Sequence, residues 1–386
     1  MKLDEQSQRS VNADRPDKPV KRRQLLKGSL AVGGAAATAA IAFPYIRDAR
    51  AADTTTWKIQ TAWWQGVAGW PYFENWCKSI VEKTGGELAF QPFAGGAAVG
   101  TFEMMDATRT GVLDAMNWFT LYGAGKLPAT VFLSSYPLGL RNPHEWDVFF
   151  YGLGGLEITR KLYEKFGLFY VGHIQHGPNI IHSKTPIRSI EDFKDKKMRV
   201  PGGMVAELFT AAGAKTTLLP GSEIYPAMEK GTIDITDVVG PAINHDMGLA
   251  QVAKFISMGP PGFMSIYQPV DLMDLTVNMD RWNALSPQMK QFVEMETQVY
   301  SNAHHAEIQR LDQIAWKKFT DDKVRVIRLT QRDVEEFTKL AVPLWYKWAN
   351  KDKTAAQVFK IQLDYMMSGS LGYVTPEMIK GQTLNM

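Results

Sequence analysis

The chain has 386 residues, 45% of them hydrophobic, with 43 Lys and Arg against 40 Asp and Glu and a formal charge of +3. That length carries two folded lobes at roughly 100–200 residues each, and so even a charge balance gives no basic face of the kind that nucleic acid requires. A single cysteine, Cys77, excludes an intrachain disulfide.

In chain order, Lys21-Arg22-Arg23-Gln24-Leu25-Leu26-Lys27 leads into GSLAVGGAAATAAIAF, then Pro44 and Ala49-Arg50-Ala51. Paired arginines, a weakly apolar stretch and an A-x-A end resemble a twin-arginine export signal. It is expected over residues 1–51, with cleavage after Ala51 and a periplasmic destination. The alternative is an uncleaved anchor, for which the run is marginal: a span needs roughly 20 strongly apolar residues. The segment holds 10 basic and 5 acidic side chains, so the remainder keeps 33 basic and 35 acidic. The apparent basicity therefore belongs to the leader.

WKIQTAWW, from Trp57, alternates apolar residues as a strand does, and PYFENWCKSIVEKTGG follows with helical spacing, stopped by Gly85-Gly86. Cys77 falls on the apolar face of that helix, as core filling. ELAFQPFA reads as a second strand, a Gly/Ala loop and a helix through Thr110 come next, and VLDAMNWFT is a third strand. The alternation implies a parallel or mixed sheet with helical crossovers. A second series begins at Ser189. It comprises a short helix, strand Met198-Arg199-Val200, helix MVAELFTAAGA, strand AKTTLLP, helix SEIYPAMEKG with Ser222 as its expected N-cap, and strand TIDITDVVG.

The two series share one phrase. RTGVLDAM and EKGTIDIT each carry Gly, any residue, an aliphatic and Asp, with Glu103 and Glu223 eight residues before Gly111 and Gly231. Chance is one explanation. The other is two similar α/β lobes, each with glycine ending a helix at positive φ. Open α/β sheets bind ligands beyond the carboxyl ends of their strands. That makes Asn117, Trp118 and Tyr122 candidate walls from one lobe, and Asp237 to Asn244 candidates from the other. Gln60, Trp63 and Trp64 after the first strand and Gln268 after GFMSIY are further candidates, with core packing as the alternative for the aromatics and a loop role for Asn244 and His245.

The final third reads as helical. A long helix starts at Ser286-Pro287 and runs through Phe319, VRVIRL is a short strand, and LTQRDVEEFTKLAVPLWYKWANK resumes a helix kinked or restarted at Pro343. The tail from Gln362 has apolar residues suited to a contact with a second copy or to docking on its own lobe.

Four blocks together resemble the extracytoplasmic solute-binding subunits of tripartite ATP-independent periplasmic (TRAP) transporters, of the DctP type. They are RTGVLDAMNWFTLYGAGKLPATVFLSSYPLGL, IRSIEDFKDKKMRVPGG, LLPGSEIYPAMEKGTIDITDVVGP and the long helix. The resemblance implies an α/β, two-lobed periplasmic-binding-protein fold with central mixed sheets, hinge strands and a long C-terminal bracing helix. Lobe I is expected over 52–175 and lobe II over 176–270, with 271–386 crossing the hinge and completing both. It further implies capture of a small organic anion, a monocarboxylate or 2-oxo acid, for delivery to membrane permease subunits, and a homodimer in some members. A sulfonate or other anion, or a sensor as recipient, is the alternative.

In that family the Arg of the K-M-R-V-P block pairs with the ligand carboxylate, which here is Arg199; a surface Arg among Lys194, Lys196 and Lys197 is the alternative. A guanidinium offers a planar carboxylate two parallel charge-assisted bonds. The 2-oxo acid and lactate binders usually carry Glu-Trp before Val-Gly-Pro, and this chain has Asp237-Val238 instead. Their carboxylate helps hold a metal ion that bridges to the ligand, so Asp237 and Gln268 are the expected ligands for Na⁺ or Ca²⁺, with no cofactor required otherwise. Their nearby Gln falls close to Pro178 and Asn179, of which only Asn179 has a side-chain ligand.

An enzyme is disfavoured. His173-x-x-His176 with His182 is a loose cluster without a carboxylate or Cys at metal spacing, and core or surface histidines are the plainer account. No G-x-S-x-G, P-loop or strand-linked G-x-G-x-x-G occurs.

Overall fold

The computed structural model describes residues 54–386. The export signal and the Ala51 cleavage site lie outside the described residues. Strand β1 (Thr55–Thr61), helix α1 (Gly69–Lys83), β2 (Leu88–Phe93), α2 (Met104–Arg109) and β3 (Ala115–Phe119) open the fold. Helical turns lead through α3 (Pro143–Asp147) and α4 (Gly155–Glu164) to β4 (Leu168–Gly177). The chain then crosses to β5 (Ile180–Ser183), β6 (Lys197–Arg199), α5 (Gly203–Ala211), β7 (Lys215–Thr217), α6 (Gly221–Glu229), β8 (Ile235–Val238), α7 (Pro241–Asp246), α8 (Leu249–Val252) and β9 (Phe255–Met258). It returns to β10 (Asp271–Asn278) and continues through α9 (Met279–Asn283), α10 (Pro287–Asp321), β11 (Arg325–Arg328), α11 (Gln331–Ala349) and α12 (Lys353–Met367).

Two mixed sheets result. Lobe I has the order β2-β1-β3-β10-β4 and lobe II the order β11-β9-β5-β8-β6-β7. Strand β10 therefore completes the first sheet and β11 the second. The crossings run side by side, since Asn179 N–H donates to the Gln268 carbonyl at 3.1 Å.

The repeated phrase has one geometry in both lobes. Gly111 and Gly231 hold φ of +77° and +73°, a conformation that costs any residue with a Cβ. Each lets the chain leave its helix and enter a strand. The Asp that follows reaches the neighbouring parallel strand: Lys58 N–H donates to Asp114 Oδ2 at 2.7 Å, and Lys197 N–H to Asp234 Oδ2 at 3.2 Å. In return Asp114 N–H donates to the Lys58 carbonyl and Asp234 N–H to the Lys197 carbonyl. The aspartate thus staples helix exit to sheet in both halves.

Helix α10 braces the lobes. Ser286 caps it, its Oγ accepting from Met289 N–H at 3.1 Å. Tyr300 stacks on Trp76 of lobe I, and Phe319 packs on His182 of lobe II. Asp312 Oδ1 takes the Ala242 N–H at 2.7 Å. Val299, on the opposite side of this helix, is 54% exposed. Pro343 neither ends nor divides α11, and α6 begins at Gly221 behind Pro220, so Ser222 is inside the helix and not its cap. The tail docks on its own lobe: Phe359 packs on Phe132, and Gln362 Nε2 donates to the Phe132 carbonyl at 2.6 Å. No helix among the described residues is long and apolar enough to cross a membrane.

Two predictions follow from these contacts. Asp114→Ala and Asp234→Ala each orphan a strand N–H and should cost about 1–3 kcal/mol in denaturant unfolding. On α10, burial pushes His304 down to about 3 and Asp312 up to about 7. Native His304 stays neutral while the unfolded side chain protonates near 6.5, so its contribution is lost as pH falls below that. Asp312 stays protonated while the unfolded carboxyl ionises near 3.9, so its contribution is lost as pH rises toward 7. His304→Gln should gain on the wild type on acidification from pH 6 to 4, and Asp312→Asn should gain from pH 4 to 7. Each gain is at most about 1.4 kcal/mol per pH unit, read from urea midpoints across pH.

Candidate functional site

The carboxyl ends of the central strands face each other across the lobes. Between them lies a small cavity, with about 350 Å³ of empty space counted with its mouth. Trp64, Phe119, Leu121, Tyr122 and Asp271 line it from lobe I, and Asn179, Arg199, Pro201, Gly221, Val238 and Val239 from lobe II and the crossing.

Arg199 ends β6 and is only 2% exposed. Its Nε donates to the Leu219 carbonyl at 3.0 Å and its Nη1 to the Asp237 carbonyl at 2.6 Å. No carboxylate among the described residues stands within 4.0 Å of it, since no ion pair forms there. Two of the five guanidinium N–H groups are thereby spent on backbone and three remain. A buried charge held by neutral carbonyls lacks a counter-ion, and burying it that way is costly. An anion in the cavity supplies what is missing.

A second shortfall lies beside it. Asp237 is fully buried and neither carboxyl oxygen has a hydrogen-bond partner. Burial pushes its carboxyl well above the usual range, Arg199 pulling back and Asp271 pushing further. Asn179 Nδ2 donates to Gln268 Oε1 at 3.0 Å, which leaves Asn179 Oδ1 and Gln268 Nε2 unpartnered. Exchanging O and N in both amides keeps one bond between them and presents a Gln268 oxygen instead. A carboxyl and one amide oxygen without partners belong to the donor set of a hard cation, so these residues fit Na⁺ or Ca²⁺. No group of three or more His, Cys, Asp or Glu forms a metal cluster among the described residues.

The other expected residues divide. Tyr122, Asn179, Val238 and Trp64 reach the cavity; Asp237 contributes its carbonyl to Arg199. Burial pushes the Tyr122 hydroxyl upward, with Arg199 opposing and Asp271 adding, which places all three groups within mutual reach. Gln60 instead pins the Gly/Ala loop, accepting from Ala98 and Val99 N–H and donating to the Val99 carbonyl. Asn117 joins Thr61 to the Asp274 carbonyl. Trp118 is core, and Trp63 packs among Phe119, His176 and His304. These four lie outside the cavity lining because alternation along strands ending at the cleft aims them into the sheet's faces. Asn244 Nδ2 donates to the Val238 and Val239 carbonyls, and His245 meets Asp322 near the surface. The three histidines disperse: His173 binds Asp147, His176 faces His304, and His182 meets Asn244.

Phe119, Leu121, Pro201, Asp271 and Gly221 line the cavity without having been singled out in the sequence. Asp271 sits within a run of apolar residues whose spacing gives no sign of a cleft. Gly221 lies inside the recognised LPGSEI block, but its use appears only in three dimensions: a Cβ there would overlap the Trp64 ring, and one on Gly203 would stand 2.9 Å from Leu121 Cδ1. Both glycines let lobe I seat against lobe II. Ala68 N–H adds a bond to Asp246 Oδ2 at 3.0 Å across the same seam.

Two α/β lobes joined by paired crossings, braced by one helix and closed on an uncompensated guanidinium, make a receptor for a solute. The model of bacterial extracellular solute-binding protein family 7, DctP, matches residues 70–352. The chain belongs to that family, and family and fold are those of transport binding proteins. It is 27% identical to a monocarboxylate 2-oxoacid-binding periplasmic protein of Nostoc sp. over 79% of this chain and 82% of the relative. Among solved structures, a TRAP solute-binding protein of Bordetella bronchiseptica, with calcium and picolinate in its occupied site, matches at TM-score 0.74 and 23% identity. The alignment covers 81% of this chain and 93% of that one. One from Colwellia psychrerythraea with calcium and pyruvate matches at 0.73 and 23%, covering 81% and 94%.

Gly221→Val tests the closure. It should hold the lobes apart, raising the radius of gyration in solution scattering and weakening ligand binding about tenfold or more. Unchanged scattering and affinity would show that the Trp64 seat does not control closing.

Proposed function

We propose that this chain captures a small monocarboxylate, of the 2-oxo or related 2-substituted acids, and delivers it to the membrane subunits of a TRAP transporter. The carrying observation is Arg199: a buried guanidinium, fixed by two carbonyls, with three N–H groups left for a planar anion. The narrow cavity favours a ligand of few heavy atoms over a sugar acid. The Nostoc relative, which binds 2-oxo acids, supports the class. The resemblance of residues 1–51 to a twin-arginine signal supports export already folded, into the periplasm.

The reading treats the cleft as a binding site and not a catalytic one. An anion docks on Arg199 in the open state, and residues of lobe I complete its shell only when the lobes meet. The closed state gains because the ligand touches both lobes there alone. Asp237, Asn179 and Gln268 would hold a hard cation beside the ligand, where its charge adds a second attraction for the carboxylate. Calcium with picolinate or pyruvate in the Bordetella and Colwellia proteins is compatible with that arrangement.

A thermal-shift screen of monocarboxylates, 2-oxo acids and sulfonates, with calcium and with chelator, tests this. Ligand at 100 times its Kd should stabilise by about 2.7 kcal/mol. Arg199→Ala should weaken every carboxylate hit by roughly 2–5 kcal/mol, about 30-fold to several thousand-fold. Full affinity in the variant would refute the anchor. A shift indifferent to both calcium and chelator would remove the divalent ion.

A further inference from the structure

We propose that Asp271 determines ligand specificity by accepting a hydrogen bond from a donor group, a hydroxyl or an ammonium, that the ligand carries beside its carboxylate. This rests on reading the cleft as a carboxylate site anchored by Arg199.

Asp271 is the one acidic side chain that lines the cavity, and it is 4% exposed. It opens β10, where it pairs with Gly177, and the register shifts between Asp271 and Leu272. The extra residue is His176 of β4, so the bulge lies directly opposite Asp271, an irregularity common beside functional sites. The carboxyl receives one hydrogen bond from the described residues, Ser134 Oγ to Oδ1 at 3.1 Å. Burial pushes the carboxyl up to about 7, and Ser134, the Leu272 N–H, Arg199 and Asn179 oppose that rise. The single Ser134 hydroxyl proton is shared with the Leu272 carbonyl, 3.0 Å away, while the oxygen accepts from Leu272 N–H at 3.4 Å, so this hydroxyl ties the carboxyl to the start of β10.

Oδ2 is therefore left facing the cavity. Unlike the Asp237 oxygens it is not sealed from all access, because it is not among the buried atoms without a partner. A structural carboxyl would be satisfied by its own lobe. This one is fixed through one oxygen and offers the other. Arg199 lies across the same space, as its influence on Asp271 shows. A ligand bonded through its carboxylate to Arg199 presents its second carbon to the opposite wall. A carboxyl there accepts from a donor at that carbon; a ligand with no polar group there leaves Oδ2 unpaired. Sites built to bond one polar group reject analogues lacking it far more strongly than apolar pockets reject a methylene.

The test is isothermal titration of the full mature chain with 2-hydroxypropionate, 2-aminopropionate, 2-oxopropionate and propionate, in calcium and in chelator. Wild type, Asp271→Asn, Asp271→Ala and Arg199→Ala are compared, each checked by circular dichroism and melting. The wild type should bind the hydroxy or the amino acid at least tenfold tighter than propionate; which of the two distinguishes hydroxyl from ammonium. Asp271→Ala should bring that ratio within threefold while propionate affinity holds, and Asp271→Asn should fall between, with and without calcium. An unchanged ratio in Asp271→Ala overturns the proposal. So does an equal loss for all four acids, which would make Asp271 a support of the site or of a cation. If Asp271 variants lose selectivity while Arg199→Ala binds normally, the anchor fails and the specificity role does not stand as drawn. A wild type that binds none of the four overturns both readings.

Discussion

The closed structure turns on a guanidinium without a counter-ion. Arg199 is removed from water, and its only intramolecular partners are the carbonyls of Leu219 and Asp237. Neutral dipoles fix its direction without cancelling its charge. A carboxylate partner from the protein itself would have satisfied Arg199 and closed the site to anions. The acids nearby are instead placed where they do not pair with it. The charge stays available, and the empty closed state is disfavoured relative to the filled one. That imbalance is what a receptor needs if it is to close on its ligand and open without it.

The scaffold translates that local imbalance into motion between lobes. Two antiparallel crossings meet at the Asn179–Gln268 contact, next to the cavity, so the hinge and the site share residues. Helix α10 packs on both lobes and limits the direction in which they part. At the seam, glycines remove the side chains that would block contact: Gly221 under Trp64 and Gly203 under Leu121. These contacts are apolar or small and carry no charge selectivity. Selectivity is concentrated in the few polar groups around Arg199, which is why one buried carboxyl such as Asp271 has weight.

Much of this was legible in the sequence. The Gly-x-aliphatic-Asp phrase occurs twice because the same helix exit and the same aspartate staple are built twice, and glycine at positive φ leaves a trace that composition cannot hide. Arg199 was legible through the family resemblance of its Lys-Met-Arg-Val-Pro block, while residue type alone left a surface arginine equally open. Gln60, Asn117, Trp63 and Trp118 were misplaced in the cavity wall because proximity to a strand's carboxyl end does not say which face a side chain takes. Their polar atoms hold loops and neighbouring strands. Ser222 looked like a helix cap by residue type, yet the helix begins one residue earlier, behind Pro220. Asp271 was invisible because it opens a strand rich in apolar residues, and nothing in that spacing says which end of the strand meets the cleft.

The most direct measurement is a crystal structure of the mature chain with its tightest-binding carboxylate. The account predicts the carboxylate lying in the plane of the Arg199 guanidinium, bonded through the N–H groups that backbone leaves free, with side chains of both lobes in contact with the ligand. A ligand seated elsewhere, with the Arg199 guanidinium turned from it or paired to a protein carboxylate, would contradict it.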